Sequence, residues 1–277
     1  MKPPLHQPTS LAEACELLDT LEETMVYGGG TAIQILIKQG VLFAGNLVDL
    51  SRVPGLAEIE ETAEGLRVGP MTTLRRMETS EVVRRRVPLA AQTYGHVANP
   101  RVRNTASVGG NIAHGDYRLD PPTALLVLGA RVELTSVRGT RTVPIRDFFV
   151  DFQVTAVEPG ELITALHIPA APAGNSSTFV KMSSLGENDW PAASVAAQVD
   201  AERRTLRLGL GALAHVPRYV EVPLDGGGVD AAVAAATAAV EPELDPIPDV
   251  RGSADYKRKL GLVATEDAVR RAWEEAR

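Results

Sequence analysis

Helical and strand patterns are mixed along this chain of 277 residues, and only one strand–helix–strand unit stands out. Without a long train of such units the chain reads as an α+β fold, not a doubly wound sheet. Up to about Val53 the order is helix, strand, helix, strand, beginning with the amphipathic Leu11-Ala-Glu-Ala-Cys-Glu-Leu-Leu18. Residues 54–172 mix short strands, such as Leu66–Val68 and the half-exposed Arg131–Thr135, with helices near Thr73–Ser80 and Val87–Val97. Pro169–Ser177 has the composition of a linker. It divides the chain into residues 1–172, with subdomains of about 1–53 and 54–172, and residues 173–277. Beyond it, Phe179–Met182, Ala193–Val199 and Thr205–Leu213 read as antiparallel strands, with a hairpin turn over Asp200–Arg204. An alanine-rich helix from Asp230 to Val240 follows a three-glycine break, and a last helix runs to about Arg277.

Two glycine clusters carry the chemistry. In Asn104-Thr-Ala-Ser-Val-Gly-Gly-Asn111 a hydroxyl, two glycines and an amide make a turn that a ligand can approach closely, since glycine has no Cβ. Asp120 and two prolines follow, then the apolar run Ala124–Leu128, read as a buried supporting helix. Such a loop suits a phosphate or a flavin, although a lone Gly-Gly pair is more often only a tight turn. The second cluster, Met25-Val-Tyr-Gly-Gly-Gly-Thr-Ala-Ile33, reads as strand, turn and helix, with Thr31 placed to cap the helix. Free N–H groups and the helix dipole at that point attract a pyrophosphate. A nicotinamide-binding Rossmann unit is the competing reading, with Gly28, Gly30 and Asp49 near their expected spacing. Its third glycine is missing, because that position holds Ile33.

Composition narrows the classes. A net charge of −7 disfavours nucleic acid or an anionic membrane as partner. No apolar run is long enough to span a bilayer, and the prolines of Met1-Lys-Pro-Pro-Leu-His stand where a signal peptide is apolar, so a cytoplasmic location is expected. The single cysteine, Cys15, excludes a cysteine-ligated iron–sulfur cluster within this chain. His6, His96, His114, His167 and His215 show no metal-ligand spacing, so no metal site is expected.

Tyr27-Gly-Gly-Gly-Thr-Ala-Ile33 and Ser107-Val-Gly-Gly-Asn111 resemble the two flavin-binding signatures of the FAD-binding medium subunit of molybdenum hydroxylases. The likeness extends through Asp120-Pro-Pro-Thr-Ala-Leu-Leu126, Lys181 with Gly186–Ala193, and Asp255–Leu260. It implies the two-subdomain FAD-binding fold of the vanillyl-alcohol-oxidase (PCMH) type, followed by a small α/β C-terminal domain. It also implies FAD as cofactor and an electron-transfer role. The implied partners are a [2Fe-2S] small subunit and a molybdenum-cofactor large subunit, in a dimer of heterotrimers.

Position by position, Val26, Tyr27, Gly28, Gly29, Gly30, Thr31, Ala32 and Ile33 match the first signature, whose backbone wraps the pyrophosphate. Ser107, Val108, Gly109, Gly110 and Asn111 match the second, which supplies N–H and hydroxyl donors. Asp120 stands where the family places a carboxylate on the sugar or adenine side. Val97 and Ile163 stand where apolar residues pack on the cofactor. Lys181 stands where a lysine approaches the isoalloxazine, and Trp190, after Asp189, where an aromatic residue lies near that ring. Ala32 departs from the more usual polar residue, and His114-Gly-Asp-Tyr-Arg118 is more charged than in many relatives. Arg101 and Arg103 read as neutralising a phosphate or a partner's acidic face, and Arg84–Arg86 as a solvated helix end. No Ser-His-Asp or paired-carboxylate arrangement suggests a catalytic residue. Two other classes compete: a stand-alone flavin- or nicotinamide-dependent oxidoreductase, and a non-catalytic scaffold.

Overall fold

The computed structural model describes residues 3–172, 174–200 and 202–275, so Ala173 of the linker, Ala201 of the hairpin turn and the expected helix end at Arg277 lie outside the described residues. The chain opens with β1 (Leu5–His6), α1 (Leu11–Thr20), β2 (Thr24–Tyr27), α2 (Ile33–Lys38) and β3 (Asn46–Asp49). The strands form a parallel sheet in the order β1–β3–β2, so β2, α2 and β3 make the strand–helix–strand unit read from the sequence. Helix α1 starts where the Ser10 hydroxyl accepts the Glu13 N–H. It buries Ala14 and Cys15 against Val48, Leu50 and Val53. Helix α2 is different. It is apolar, yet none of its residues is fully buried, and Ile35 is 54% exposed.

The next region holds β4 (Ile59–Glu61), β5 (Gly65–Val68), α3 (Leu74–Thr79), α4 (Glu81–Arg86), α5 (Pro88–Gly95), α6 (Pro100–Arg103), α7 (Val108–Ala113) and α8 (Pro121–Leu128). It continues with β6 (Arg131–Ser136), β7 (Gly139–Pro144), α9 (Ile145–Phe148), β8 (Phe149–Asp151), β9 (Val154–Thr155) and β10 (Leu162–Pro169). Five strands pair antiparallel in the order β4–β5–β10–β6–β7. Helix α8 is buried along its whole length, which explains why its sequence is apolar on every side, and it ends at Gly129 with φ +67°.

The last region is an antiparallel sheet of β11 (Ser176–Met182), β12 (Ala193–Asp200), β13 (Thr205–Gly211) and β14 (Arg218–Pro223), with α10 (Gly228–Val240) and α11 (Ala254–Glu275). Every residue of β12 is buried because the strand is covered on both faces. Val195 and Ala197 pack with α10 and α11, whereas Ala196 joins the core around α8. Strand β13 crosses α8 so closely that a Cβ on Gly209 would meet the Thr123 carbonyl, which accounts for glycine in the middle of a buried strand. The sequence reading found the long helices and β11–β13 but not β1, β4, β7 to β10, β14, α4, α6, α9 or α7, which it read as a glycine turn. Most of these are short, and several gain their hydrogen bonds from distant partners.

Candidate cofactor site

The two glycine turns, read separately in the sequence, touch in the fold. A Cβ on Gly28 would lie 2.7 Å from Ser107 Oγ, and one on Gly29 would strike the Thr105 carbonyl. Glycine at these positions lets one turn lie against the other. Gly30 has φ +71°, and a Cβ there would meet the Tyr27 hydroxyl, which also accepts a hydrogen bond from Gln34. Among the described residues, the N–H groups of Gly28, Gly29, Gly30, Thr31 and Ala32 have no hydrogen-bond acceptor. The helix start differs from the sequence reading. Helix α2 begins at Ile33 with Ala32 at its N-cap and no side-chain cap, so Thr31 lies one residue too early to cap it. Val26, 38% exposed, extends an apolar edge beside this row of free donors.

The second turn has its N–H groups occupied. Val108 N–H donates to the Thr72 carbonyl (2.8 Å) and Gly109 N–H to the Pro70 carbonyl (2.8 Å). Gly110 N–H donates to Ser107 Oγ (3.2 Å) and Asn111 N–H to the Ser107 carbonyl (2.9 Å). The sequence reading expected donors from this backbone. The donors it leaves free are side-chain groups, the Ser107 hydroxyl and the Asn111 amide. Gly109 is needed for contact with Pro70, whose Cβ lies 2.5 Å from where a Cβ on Gly109 would be. Asn111 Oδ1 is buried without a partner among the described residues.

Asp120 precedes α8 and is 4% exposed. Its Oδ2 accepts a hydrogen bond from Lys181 Nζ at 2.7 Å, while Oδ1 is buried and unpartnered. Burial pushes the carboxyl up to about 6, against the pull of the Lys181 charge. Lys181 therefore does not present a free charge to a ring edge. Its side chain is 5% exposed and bridges Asp120 and the His96 carbonyl, at 3.0 Å. Val97 is half-buried at the margin of the main core, and Ile163 on β10 is 7% exposed within it. Helix α7, which follows Ser107, packs on β10, the strand that carries Ile163.

Trp190 sits between side chains of the charged loop. The Arg118 guanidinium lies 5.0 Å from its ring centroid and 5.1 Å from that of Tyr117, and His114 lies 6.5 Å away. Arg118 is held by both oxygens of Asp116, at 2.9 and 2.7 Å. Burial works to raise the Asp116 carboxyl, but these bonds hold it below the ordinary range. Burial lowers His114, favouring the neutral imidazole. Asp189 is locked to Arg251 by two bonds of 2.6 and 2.9 Å, so it fixes the loop that carries Trp190 and is not free for a ligand. Arg103 corrects another expectation. It is buried, with Glu78 and the Val97 and Ala98 carbonyls as its partners, so its charge is spent inside the protein. Arg85 and Arg86 pair with Glu61 on the surface, as a solvated helix end does.

Five free amides, two orphaned buried oxygens and a glycine contact with no room for side chains fit a dinucleotide with a negative diphosphate and a polar sugar. Residues 2–171 match the model of the FAD binding domain in molybdopterin dehydrogenase. The chain is 33% identical to the carbon monoxide dehydrogenase medium chain of Afipia carboxidovorans, across 96% of this chain and 95% of that one. It is 34% identical to the nicotine 6-hydroxylase medium subunit of Paenarthrobacter nicotinovorans, across 97% and 95%. In three dimensions it resembles a chain of the carbon monoxide dehydrogenase of Hydrogenophaga pseudoflava lacking the Mo-pyranopterin moiety, with a TM-score of 0.94, 30% identity and 99% of each chain covered. The chain therefore belongs to the family of FAD-binding domains of molybdopterin dehydrogenases, an oxidoreductase family, with FAD as its cofactor.

Proposed function

We propose that this chain is the electron-relay subunit of a molybdenum hydroxylase complex, taking electrons from a [2Fe-2S] small subunit and delivering them to an external acceptor. A molybdenum-cofactor large subunit completes the unit, and two such heterotrimers form the assembly. The observation that carries the reading is the row of free amides from Gly28 to Ala32 facing a rigid second turn, in a chain similar end to end to medium subunits. Bound FAD supplies storage for one or two electrons, which joins single-electron donors to a two-electron acceptor. The amides from Gly28 to Ala32 hold the diphosphate, and Ser107 and Asn111 add side-chain donors. Asp120 Oδ1, buried and unpartnered, would accept a hydrogen bond from the cofactor, and Trp190, braced by Arg118, would pack against it. We assign this work to residues 1–172, with residues 173–277 contributing Lys181 and Trp190.

Co-purification tests it. The chain isolated from its native host should emerge with an iron–sulfur and a molybdenum subunit, and the complex should show flavin absorbance bleached by the substrate of the large subunit. Isolation of the chain alone, fully active on a substrate, would overturn the relay.

A further inference from the structure

We infer that the His96–Ala98 turn is preset in shape for the cofactor, with Arg103 and Lys181 as its positioning residues. The inference rests on the FAD reading above. Three successive carbonyls of the turn are held by two buried cations. Lys181 Nζ donates to the His96 carbonyl at 3.0 Å, and Arg103 Nη1 donates to the Val97 and Ala98 carbonyls at 2.9 Å each. Ala98 has φ +45°, a left-handed conformation that an alanine adopts only when its surroundings impose it.

The imposing group is itself aimed. Arg103 Nε donates to Glu78 Oε2 at 2.8 Å and Nη2 to Oε1 at 3.5 Å, and Glu78 is braced in turn by Arg75 at 2.7 Å. The Arg103 side chain is 9% exposed and the Lys181 side chain 5%, so neither bond set competes much with water. Lys181 comes from β11. The same strand donates Phe179 N–H to Gln92 Oε1 at 3.0 Å and sets the Phe179 ring edge-on to His96 at 5.4 Å. The turn is thus gripped from its own lobe and from the C-terminal lobe.

Drawing three carbonyls toward cations turns their negative ends away from the opposite side of the turn. Val97, partly buried beside the main core, is left as the apolar group this turn would offer the cofactor. The turn runs directly into α6 and from there to Ser107, so its shape also sets where the second glycine turn begins.

The test is FAD titration of the full chain, in its complex or alone, followed by flavin fluorescence, the visible flavin spectrum and melting temperature. Ala98→Gly suits the left-handed conformation and should bind FAD within about threefold of the parent. Ala98→Val cannot settle there and should bind at least tenfold more weakly, with a shifted flavin spectrum. Arg103→Lys keeps the charge but loses the fork, and should weaken binding about tenfold. Adding Ala98→Gly to Arg103→Lys should recover most of that loss, which a merely structural arginine would not allow. Parent-like affinity and spectrum in Ala98→Val, or no recovery in the double variant, would overturn the inference while leaving the FAD reading intact. A parent chain that takes up no FAD, alone or in its complex, would instead sink both.

Discussion

The two glycine turns look alike in sequence and do opposite things in the structure. The first, Gly28–Ala32, leaves its N–H groups without acceptors, so its backbone is available to a ligand. The second, Ser107–Asn111, spends its N–H groups on Thr72, Pro70 and Ser107, and its glycines serve close packing. The first turn keeps backbone donors free for a ligand, whereas the second has its backbone paired and can offer only side chains. A glycine pair therefore says that something comes close, but not whether that is a ligand or the protein's own backbone.

The strongest attack on this difference is at the contact between the turns. In Gly29→Ala the new Cβ collides with the Thr105 carbonyl, and backbone cannot move aside as a flexible side chain does. We expect a loss of about 1–3 kcal/mol in stability, together with loss of FAD uptake, because the row of free amides is displaced. Gly109→Ala, which meets Pro70, should cost a similar amount. Urea unfolding combined with FAD titration checks both. Unchanged stability in Gly29→Ala would mean that the turns do not rest on each other, and in Gly109→Ala that the second turn does not rest on Pro70.

Gly110→Asp separates binding from folding. Gly110 is exposed, and a Cβ there meets only Ser107 Oγ, at 2.9 Å, so the fold should survive with a small change in melting temperature. The carboxylate would face the diphosphate path and should weaken FAD binding at least a hundredfold, equivalent to about 3 kcal/mol. Parent-like FAD affinity in a folded Gly110→Asp protein would remove the second turn from the site.

The order of elements was legible because it rests on local periodicity. Helices α1, α5, α8 and α10 and strands β11 to β13 carry it in their own residues. The family was legible for a different reason, the resemblance of Tyr27–Ile33 and Ser107–Asn111 to its two signatures. What the sequence left hidden depends on partners far along the chain. The acceptors for Val108 and Gly109 lie on Thr72 and Pro70, some forty residues earlier, and nothing local to either turn announces them. Lys181 reads as a ring-side cation until its partner, Asp120, is placed 2.7 Å away from far earlier in the chain. Arg103 reads as neutralising a phosphate or a partner's acidic face because it stands just before the glycine turn. Only its burial against Glu78 shows it to be internal. The start of α2 was misplaced because Thr31 is a good cap by type, and cap geometry is not encoded by type alone.

Asp120 extends the second turn's character to the loop that follows it, and pH makes this measurable in the FAD-free protein. Its carboxyl titrates at about 6 when folded, against 3.8 when unfolded. Well below pH 3.8 both states hold the proton. As pH rises toward 6 the unfolded chain releases it and the folded chain retains it. This group's contribution to stability therefore falls across that window, by up to about 3 kcal/mol. Asp120→Asn, which has no proton to release, should lack that decline. Urea unfolding of both proteins at pH 4.5 and 6.5 gives the difference directly. Equal slopes would assign the titration to another group.

The smallest effects give the cleanest discrimination, because they compare one hydroxyl in each turn. Ser107 Oγ caps α7 by accepting the Gly110 N–H and also fills the space above Gly28. Ser107→Ala should cost about 1 kcal/mol, the ordinary worth of a lost N-cap, even without cofactor. Thr31 caps nothing, since α2 begins at Ile33 with no side-chain bond at its start. Thr31→Ala should therefore leave the FAD-free protein within about 0.5 kcal/mol of the parent. With FAD present the comparison can reverse, because the Thr31 hydroxyl stands beside free amides while Ser107 already serves the fold. A drop in FAD affinity for Thr31→Ala, with unchanged FAD-free stability, is the outcome the contrast between the two turns requires. A loss of FAD-free stability as large as that of Ser107→Ala would mean that the first turn also serves the fold.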